Sequence, residues 1–235
     1  MADDVRMIEV KEDILADNNR VAKSLRQQLS DTKTLLLNLM SSPGSGKTSL
    51  ILRTMEGLKG SAKLGVIEAD IDSKVDAEKV AAGGIPAVQL RTGGFCHLDA
   101  TMVTQGLDAL PAQDLDLIII ENVGNLVCPA EFDTGAHKNV MILSVPEGDD
   151  KPLKYPLMFT VSDALLINKI DYLAQSDFDM AAARERILAL KPDINIFEVS
   201  CKTGAGIAQW IAWLKKEMDD FSACGKEPKP SCPRE

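Results

Sequence analysis

Short apolar runs alternate with amphipathic segments along most of this chain. The apolar runs predict seven β-strands, at residues 34–40, 63–68, 87–90, 115–120, 140–145, 164–168 and 194–199. Apolar positions at helical spacing predict intervening helices at residues 48–57, 72–82, 98–110, 177–190 and 207–221. This alternation is typical of an α/β fold, and it predicts a doubly wound, mostly parallel sheet with helices on both faces.

The two ends of the chain have a different pattern. Between Val10 and Leu29, apolar residues recur at near-helical spacing with charges between them, which predicts an amphipathic N-terminal helix packed on the domain edge. The last eleven residues are polar and contain three prolines, which predicts a disordered tail. We therefore expect an N-terminal helical extension (1–30), one α/β domain (31–222) and a tail (223–235).

Composition narrows the classes of function. A chain of 235 residues with 45% hydrophobic content can bury a full core. A net charge of -9 argues against broad binding to nucleic acid or to a membrane surface. The acidic N-terminus is unlike a signal peptide, and no apolar stretch approaches the ~20 residues of a membrane span. We expect a cytoplasmic protein, whose five cysteines are thiols or metal ligands rather than disulfides.

A phosphate-binding loop is predicted where the first strand of the domain meets its first helix. Residues 41–48 read SSPGSGKT, a P-loop pattern in which Ser41 replaces the usual first glycine. Backbone N–H groups of such a loop hold phosphate oxygens, Lys47 reaches the β- and γ-phosphates, and the Thr48 hydroxyl binds Mg²⁺. The alternative is a glycine- and serine-rich turn with an exposed lysine. The predicted contact residues are Gly44, Ser45, Gly46, Lys47, Thr48 and Ser49.

A second loop is predicted to read the base. Residues 168–171 read NKID and follow a buried strand. The Asp171 carboxylate would accept two N–H donors that guanine has and adenine lacks, so adenine would leave it unpaired. Asn168 could bond guanine and hold the P-loop, while the Lys169 stem would lie along the base. An ordinary turn is the alternative. The residues expected to complete the base pocket are Ser200, Cys201 and Lys202.

Two acids are candidates for magnesium binding and hydrolysis. Glu121 ends a strand and precedes a glycine at 124, the position of a magnesium-linked acid and a γ-phosphate sensor. Asp70 follows another strand, where it could approach Mg²⁺ or the attacking water. Each could instead be a helix cap or a solvated acid. With Lys47, they form the predicted catalytic set. No glutamine or arginine is evidently placed to assist, so we expect slow hydrolysis, aided by a partner or a second subunit.

Cys96, His97 and Cys128 are candidate metal ligands. Thiolate and imidazole suit Zn²⁺ or Ni²⁺. Neighbouring side chains on a strand point to opposite faces, so Cys96 and His97 can converge only in a loop. Three ligands leave one position open, which a site shared across a two-fold dimer would fill. The alternative is two buried cysteines and a surface histidine.

Four segments together resemble the HypB family, the GTPases that help insert nickel into [NiFe]-hydrogenase precursors. They are the P-loop and residues 92–100 (TGGFCHLDA), 120–129 (IENVGNLVCP) and 147–156 (EGDDKPLKYP), and the similarity extends over residues 31–214. The resemblance implies a P-loop GTPase that forms a GTP-promoted homodimer and binds Ni²⁺ or Zn²⁺ at the subunit interface through Cys96, His97 and Cys128. It also implies two partners, a hydrogenase large-subunit precursor and a companion nickel-binding maturation protein.

The chain departs from some family members in its N-terminal region. Residues 1–10 contain no cysteine or histidine, and two histidines in all cannot form a histidine-rich storage segment. Transient, GTP-gated transfer is therefore favoured over tight storage. Three alternatives are a urease-type accessory GTPase, which residues 96–100 argue against, a regulatory GTPase with structural zinc, and an ATP-dependent kinase. Cys224 and Cys232 are either an accessory site or unstructured thiols.

Overall fold

The computed structural model describes residues 10–70, 80–111 and 114–224. Its centre is a seven-stranded sheet with the order β3-β2-β4-β1-β5-β6-β7, in which all six neighbouring pairs are parallel. The strands are β1 (Leu35–Ser41), β2 (Leu64–Asp70), β3 (Ala87–Arg91), β4 (Leu117–Glu121), β5 (Lys138–Ser144), β6 (Ala164–Asn168) and β7 (Asn195–Glu198).

The helices cover both faces of this sheet. They are α1 (Val10–Asp31), α2 (Lys47–Leu58), α3 (Ala100–Asp108), α4 (Cys128–Glu131), α5 (Lys151–Lys154), α6 (Pro156–Thr160), α7 (Met180–Leu190) and α8 (Ile207–Cys224). Two 3₁₀ turns, Val145–Glu147 and Ile170–Gln175, follow β5 and β6. None of the helices within the described residues is long and apolar enough to cross a membrane.

The central strands are mostly apolar, as expected for strands with both faces buried. In β1, Leu35 and Leu37 pack into the core beneath α2 and α8, whereas Leu36 points to the opposite face. That opposite core includes Leu25 and Leu29 of α1. The N-terminal helix therefore packs one face against this core, while most of its other described side chains are exposed.

The fold class agrees with the prediction, and the strands lie within a few residues of their predicted positions. Two helices begin later than predicted because an aspartate caps each one. Asp99 accepts a hydrogen bond from Met102 N and starts α3 at Ala100, and Asp179 does the same for Ala182 N at the start of α7. The predicted helix at 72–82 lies outside the described residues except for its end at 80–82, and the predicted tail lies outside them from 225 onward.

The sheet order places the candidate loops together. After β1 the chain passes to β2 and β3 on one side, and it later occupies the other side with β5, β6 and β7. Loops that leave the carboxyl ends of parallel strands at such a reversal form a crevice, which is the usual ligand site of an open α/β sheet. The P-loop follows β1, the Glu121 loop follows β4 and the Asn168 loop follows β6.

Candidate functional site

The P-loop connects β1 to α2, which begins at Lys47. Gly44 and Gly46 have φ angles of 73° and 110°, where side chains other than hydrogen are strained. A Cβ on Gly46 would lie 2.4 Å from the Asn168 Nδ2 atom, so steric contact as well as backbone conformation requires glycine there.

Ser41 has a structural use in this loop although it departs from the usual glycine. Its side chain is buried and its Oγ donates to the Ser42 carbonyl at 2.8 Å. The same Oγ accepts hydrogen bonds from Ser45 Oγ and, at 3.2 Å, from Lys47 Nζ. Ser41 therefore holds the side chain of Lys47, the predicted phosphate ligand.

Asn168 ties the base-reading loop to the P-loop. Its Nδ2 donates to the Ser45 carbonyl at 2.9 Å, and its Oδ1 accepts from Cys201 N at 3.1 Å. Lys169, with a left-handed φ of 62°, donates from Nζ to the Gly44 carbonyl at 2.7 Å. The structure thus brings the two predicted nucleotide loops together through two side-chain bonds, and a third bond joins Asn168 to the loop of Cys201.

Asp171 lies beside the third predicted loop. Its Oδ1 accepts a hydrogen bond from Ser200 Oγ at 2.6 Å, and its Oδ2 lies 3.9 Å from Lys202 Nζ. Cys201 is buried, and burial raises the pKa of its thiol to about 11, so it stays protonated near neutral pH. Cys201 therefore contributes packing and its backbone N–H rather than a reactive thiolate.

Carboxylates and the P-loop line one cavity of about 450 Å³. Thr48 Oγ1 donates to Glu121 Oε1 at 2.9 Å, which pairs the two predicted magnesium ligands. Asp70 and Ser49 line the same cavity. Hard oxygen donors of this kind fit Mg²⁺, whose usual protein ligands are one or two carboxylates besides phosphates and water.

Glu68 is a third acid on this cavity, and sequence reasoning missed it. It is buried on β2, lines the same cavity and lies opposite Glu121 in the register of β2 and β4. Its sequence signal is a carboxylate inside an otherwise apolar strand, two residues before Asp70. A buried acid in a strand interior is uncommon, and its place on the cavity beside Asp70 and Glu121 makes Glu68 a candidate for the same site.

The three candidate metal ligands form one cluster. The ligand atoms of Cys96, His97 and Cys128 all lie within 4.8 Å of one another. Cys96 Sγ lies 2.8 Å from Cys128 Sγ and 3.8 Å from His97 Nδ1. Cys96 and His97 occupy a bend between β3 and α3, and this loop lets neighbouring side chains converge. Two soft thiols and an imidazole fit Ni²⁺ or Zn²⁺.

The surroundings of the cluster favour a neutral imidazole. Burial lowers the pKa of His97 below its ordinary value, although Asp99 and Glu131 oppose the shift. The ring stacks on Phe132 with centroids 3.8 Å apart, which fixes its orientation. The hydrogen bond with Cys96, together with burial, raises the pKa of Cys128. Because metal binding requires thiolates, the cluster must release protons when it takes a metal ion.

Exposed apolar side chains flank the cluster. Phe95, next to Cys96, is 58% exposed, and Val127, next to Cys128, is 49% exposed. Each of the two loops that carry the metal ligands therefore presents one exposed apolar side chain next to a cysteine.

Comparison with known proteins identifies relatives over most of the chain. A family model described as CobW/HypB/UreG, nucleotide-binding domain, matches residues 11–198. The hydrogenase maturation factor HypB of Escherichia coli K12 is 47% identical over 216 residues, which cover 90% of this chain and 73% of that protein.

Two solved structures agree with the fold. HypB from Helicobacter pylori, crystallised in complex with nickel, is 36% identical, with a TM-score of 0.83 over 87% of this chain and 96% of that one. HypB from Archaeoglobus fulgidus is 40% identical, with a TM-score of 0.82 over 87% of this chain and 100% of that one.

Proposed function

This chain belongs to the HypB group of the CobW/HypB/UreG family, and on that premise we propose that it is a GTP-hydrolysing metallochaperone for hydrogenase maturation. Its cargo would be nickel, held by Cys96, His97 and Cys128 and passed to a [NiFe]-hydrogenase precursor. Support comes from the curated relatives, which are hydrogenase maturation factors, and from the solved Helicobacter pylori relative, which is a nickel complex.

One observation supports the proposal: a single loop connects the two candidate sites. The segment from Glu121 to Cys128 begins at the acid that bonds Thr48 of the P-loop and ends at a thiol of the metal cluster. A nucleotide-dependent movement of its first residues would therefore reach the metal ligand directly.

Roles for the nucleotide residues follow from their positions. Lys47 and the P-loop backbone would bind the phosphates, while Thr48 and Glu121 would hold Mg²⁺, with Asp70 near the attacking water. Asp171 would select guanine, because its carboxylate matches the N–H donors of that base. Among the described residues, neither arginine nor glutamine lines the cavity to speed hydrolysis, so we expect a low intrinsic rate.

Pairing of two chains would complete the metal site. Three ligands from one chain leave a coordination position open, and the exposed Phe95 and Val127 beside them are candidates for burial against a second copy. A two-fold interface would bring the same three ligands from the partner. We propose that GTP promotes this pairing, and that the precursor and a companion nickel-binding maturation protein accept or supply the metal.

Metal titration in defined nucleotide states tests the proposal. Purified protein would be loaded with GDP or a non-hydrolysable GTP analogue and titrated with Ni²⁺ and Zn²⁺, while its mass is followed by light scattering. Cys128→Ala removes one proposed ligand. Cys201→Ala is the control because it also removes one thiol but leaves the Cys96, His97 and Cys128 cluster intact, and it keeps the backbone N–H that bonds Asn168.

The proposal expects nucleotide-dependent metal affinity that Cys128→Ala abolishes and Cys201→Ala preserves. Metal affinity that is equal in both nucleotide states would refute the gating and leave a GTPase with structural zinc. Binding that survives Cys128→Ala would refute the assigned ligands. Competition of ATP with GTP would favour an ATP-dependent enzyme.

A further inference from the structure

We propose that Asn122 and Asn125 are the positioning residues through which the nucleotide sets the geometry of the metal ligands. This inference rests on the proposed function, since it assigns the coupling between the two sites to named side chains. Both residues belong to the loop that follows β4, between Glu121 and Cys128.

Asn122 joins the loop that follows β4 to the loop of Cys96 and His97. It is fully buried and follows Glu121 directly. Its Oδ1 accepts a hydrogen bond at 3.3 Å from Leu98 N, the backbone amide next to His97. The same oxygen accepts from Val123 N at 2.9 Å. One amide oxygen therefore holds together the loop of Cys96 and His97 and the loop that follows β4.

A buried amide relay fixes Asn122 itself. Its Nδ2 donates to Asn38 Oδ1 at 3.0 Å, and Asn38 Nδ2 donates to Asn139 Oδ1 at 3.1 Å. Asn38 lies in β1 and Asn139 in β5, so the relay connects the loop after β4 to two adjacent strands. Buried polar networks in which each member is satisfied are rigid, because an unpaired amide there is costly. Because its side-chain amide cannot easily rotate away from Leu98 N, Asn122 can transmit a displacement of its loop to the loop of Cys96 and His97.

Asn125 forms a second connection, between the loop of Cys128 and the loop of Cys96. Its Nδ2 donates to the Cys96 carbonyl at 3.3 Å, and its Oδ1 accepts from Val127 N at 2.9 Å. It also lies within hydrogen-bonding reach of Cys128. Its amide thus spans the two loops that bring the cysteines together.

The opposite end of the segment contacts the phosphate site. Glu121 accepts from Thr48, and Gly124 packs against the P-loop so closely that a Cβ would lie 2.9 Å from Pro43 atoms. Asn122 lies between these two contacts and Asn125 directly follows them. A change at the P-loop that moves residues 121–124 would therefore act on both amides through the backbone.

Asn18 provides a matched control for this inference. Its Oδ1 accepts from Ala100 N at 2.9 Å, so it holds the same metal-loop region, but from α1 rather than from the nucleotide loop. Asn18 is buried, as Asn122 is. Replacing either residue by leucine removes an amide–backbone bond of the same kind, and only Asn122 connects to the nucleotide site.

The experiment measures a coupling ratio, the Ni²⁺ dissociation constant with GDP divided by that with a non-hydrolysable GTP analogue. It would be measured on the full chain for wild type, Asn125→Ala, Asn122→Leu and Asn18→Leu, with thiolate-to-nickel charge-transfer absorption as a second readout. Losing a hydrogen bond typically changes an equilibrium about 2- to 10-fold, so we expect each loop variant to bring the ratio toward one by that factor. Asn18→Leu should keep the wild-type ratio.

Each outcome decides a different point. A wild-type ratio of one overturns both the gating in the proposed function and this inference. A wild-type ratio that differs from one, and that Asn125→Ala and Asn122→Leu leave unchanged, overturns this inference alone. An equal fall in Asn18→Leu also overturns it, because general loosening of the loop would then explain the effect. Asn125 is only half-buried, so Asn125→Ala decides the question if Asn122→Leu does not fold.

Discussion

Acid should destabilise this fold through His137, a buried histidine at the end of the sheet opposite the nucleotide site. Its Nδ1 accepts a hydrogen bond from Leu36 N at 3.0 Å, so that nitrogen is unprotonated. Its Nε2 lies 3.2 Å from the Arg26 carbonyl, and its ring packs on Phe221. Burial is the main cause that lowers its pKa from 6.5 to about 4, and the charges of Arg26 and Lys138 add to the shift.

The size of the effect follows from that shift. Between pH 6.5 and about 4 the unfolded chain binds a proton at His137 that the folded chain does not, so stability falls as pH falls through this window. Above the pKa of histidine in the unfolded chain, His137 causes no loss of stability. At 1.36 kcal/mol per pKa unit, the full loss is about 3 kcal/mol, of which about 2 kcal/mol is lost by pH 5.

Urea unfolding at pH 7, 6, 5 and 4.5 would measure this loss in wild type and in His137→Asn. Asparagine keeps an acceptor for Leu36 N but does not titrate, and carboxylate contributions cancel in the difference between the two proteins. We expect the wild type to lose about 2 kcal/mol more than the variant between pH 7 and 5. Parallel curves would refute the reasoning, as would a His137 NMR signal that titrates near pH 6.5.

Three further predictions concern the nucleotide site and the core. Gly46→Ala should weaken GTP binding at least ten-fold, because its Cβ would displace Asn168 from the P-loop; Gly44→Ala, with nothing within 4 Å, should cost less in the same fluorescence titration. Asp171→Asn should reduce GTP-over-ATP selectivity by about 100-fold or more in competition binding; unchanged selectivity would contradict the base-reading role. Trp210→Phe should destabilise by about 1–3 kcal/mol in urea, since Trp210 Nε1 donates to Thr54 Oγ1 at 2.9 Å; the half-buried Trp213→Phe should cost less.

The sheet and the positions of the two candidate nucleotide loops could be predicted because their signals are local. A strand buried on both faces is an unbroken apolar run, and β6 has its predicted bounds at residues 164–168. The P-loop pattern likewise depends on residues that are neighbours in the chain. Helix starts were less accurate, since Asp99 and Asp179 act as caps inside segments whose apolar spacing had already begun.

Long-range contacts could not be predicted from the chain alone. Nothing in the spacing of Asn122 and Leu98 shows that one bonds the other, because that contact depends on how β4 and the loop before α3 meet. The place of α1 in the core also depends on tertiary packing rather than on its periodicity. The short helices α4, α5 and α6 are four or five residues long, too short to give a helical pattern.

The proposed coupling between the two sites must act in both directions. Asn125 links the backbones that carry Cys96 and Cys128, so a movement of residues 121–124 would change the spacing of the two thiols. If one nucleotide state favours the spacing that the metal needs, that state raises metal affinity, and by linkage the metal raises affinity for that nucleotide by the same factor. Measuring the two factors independently would test whether one loop movement serves both sites.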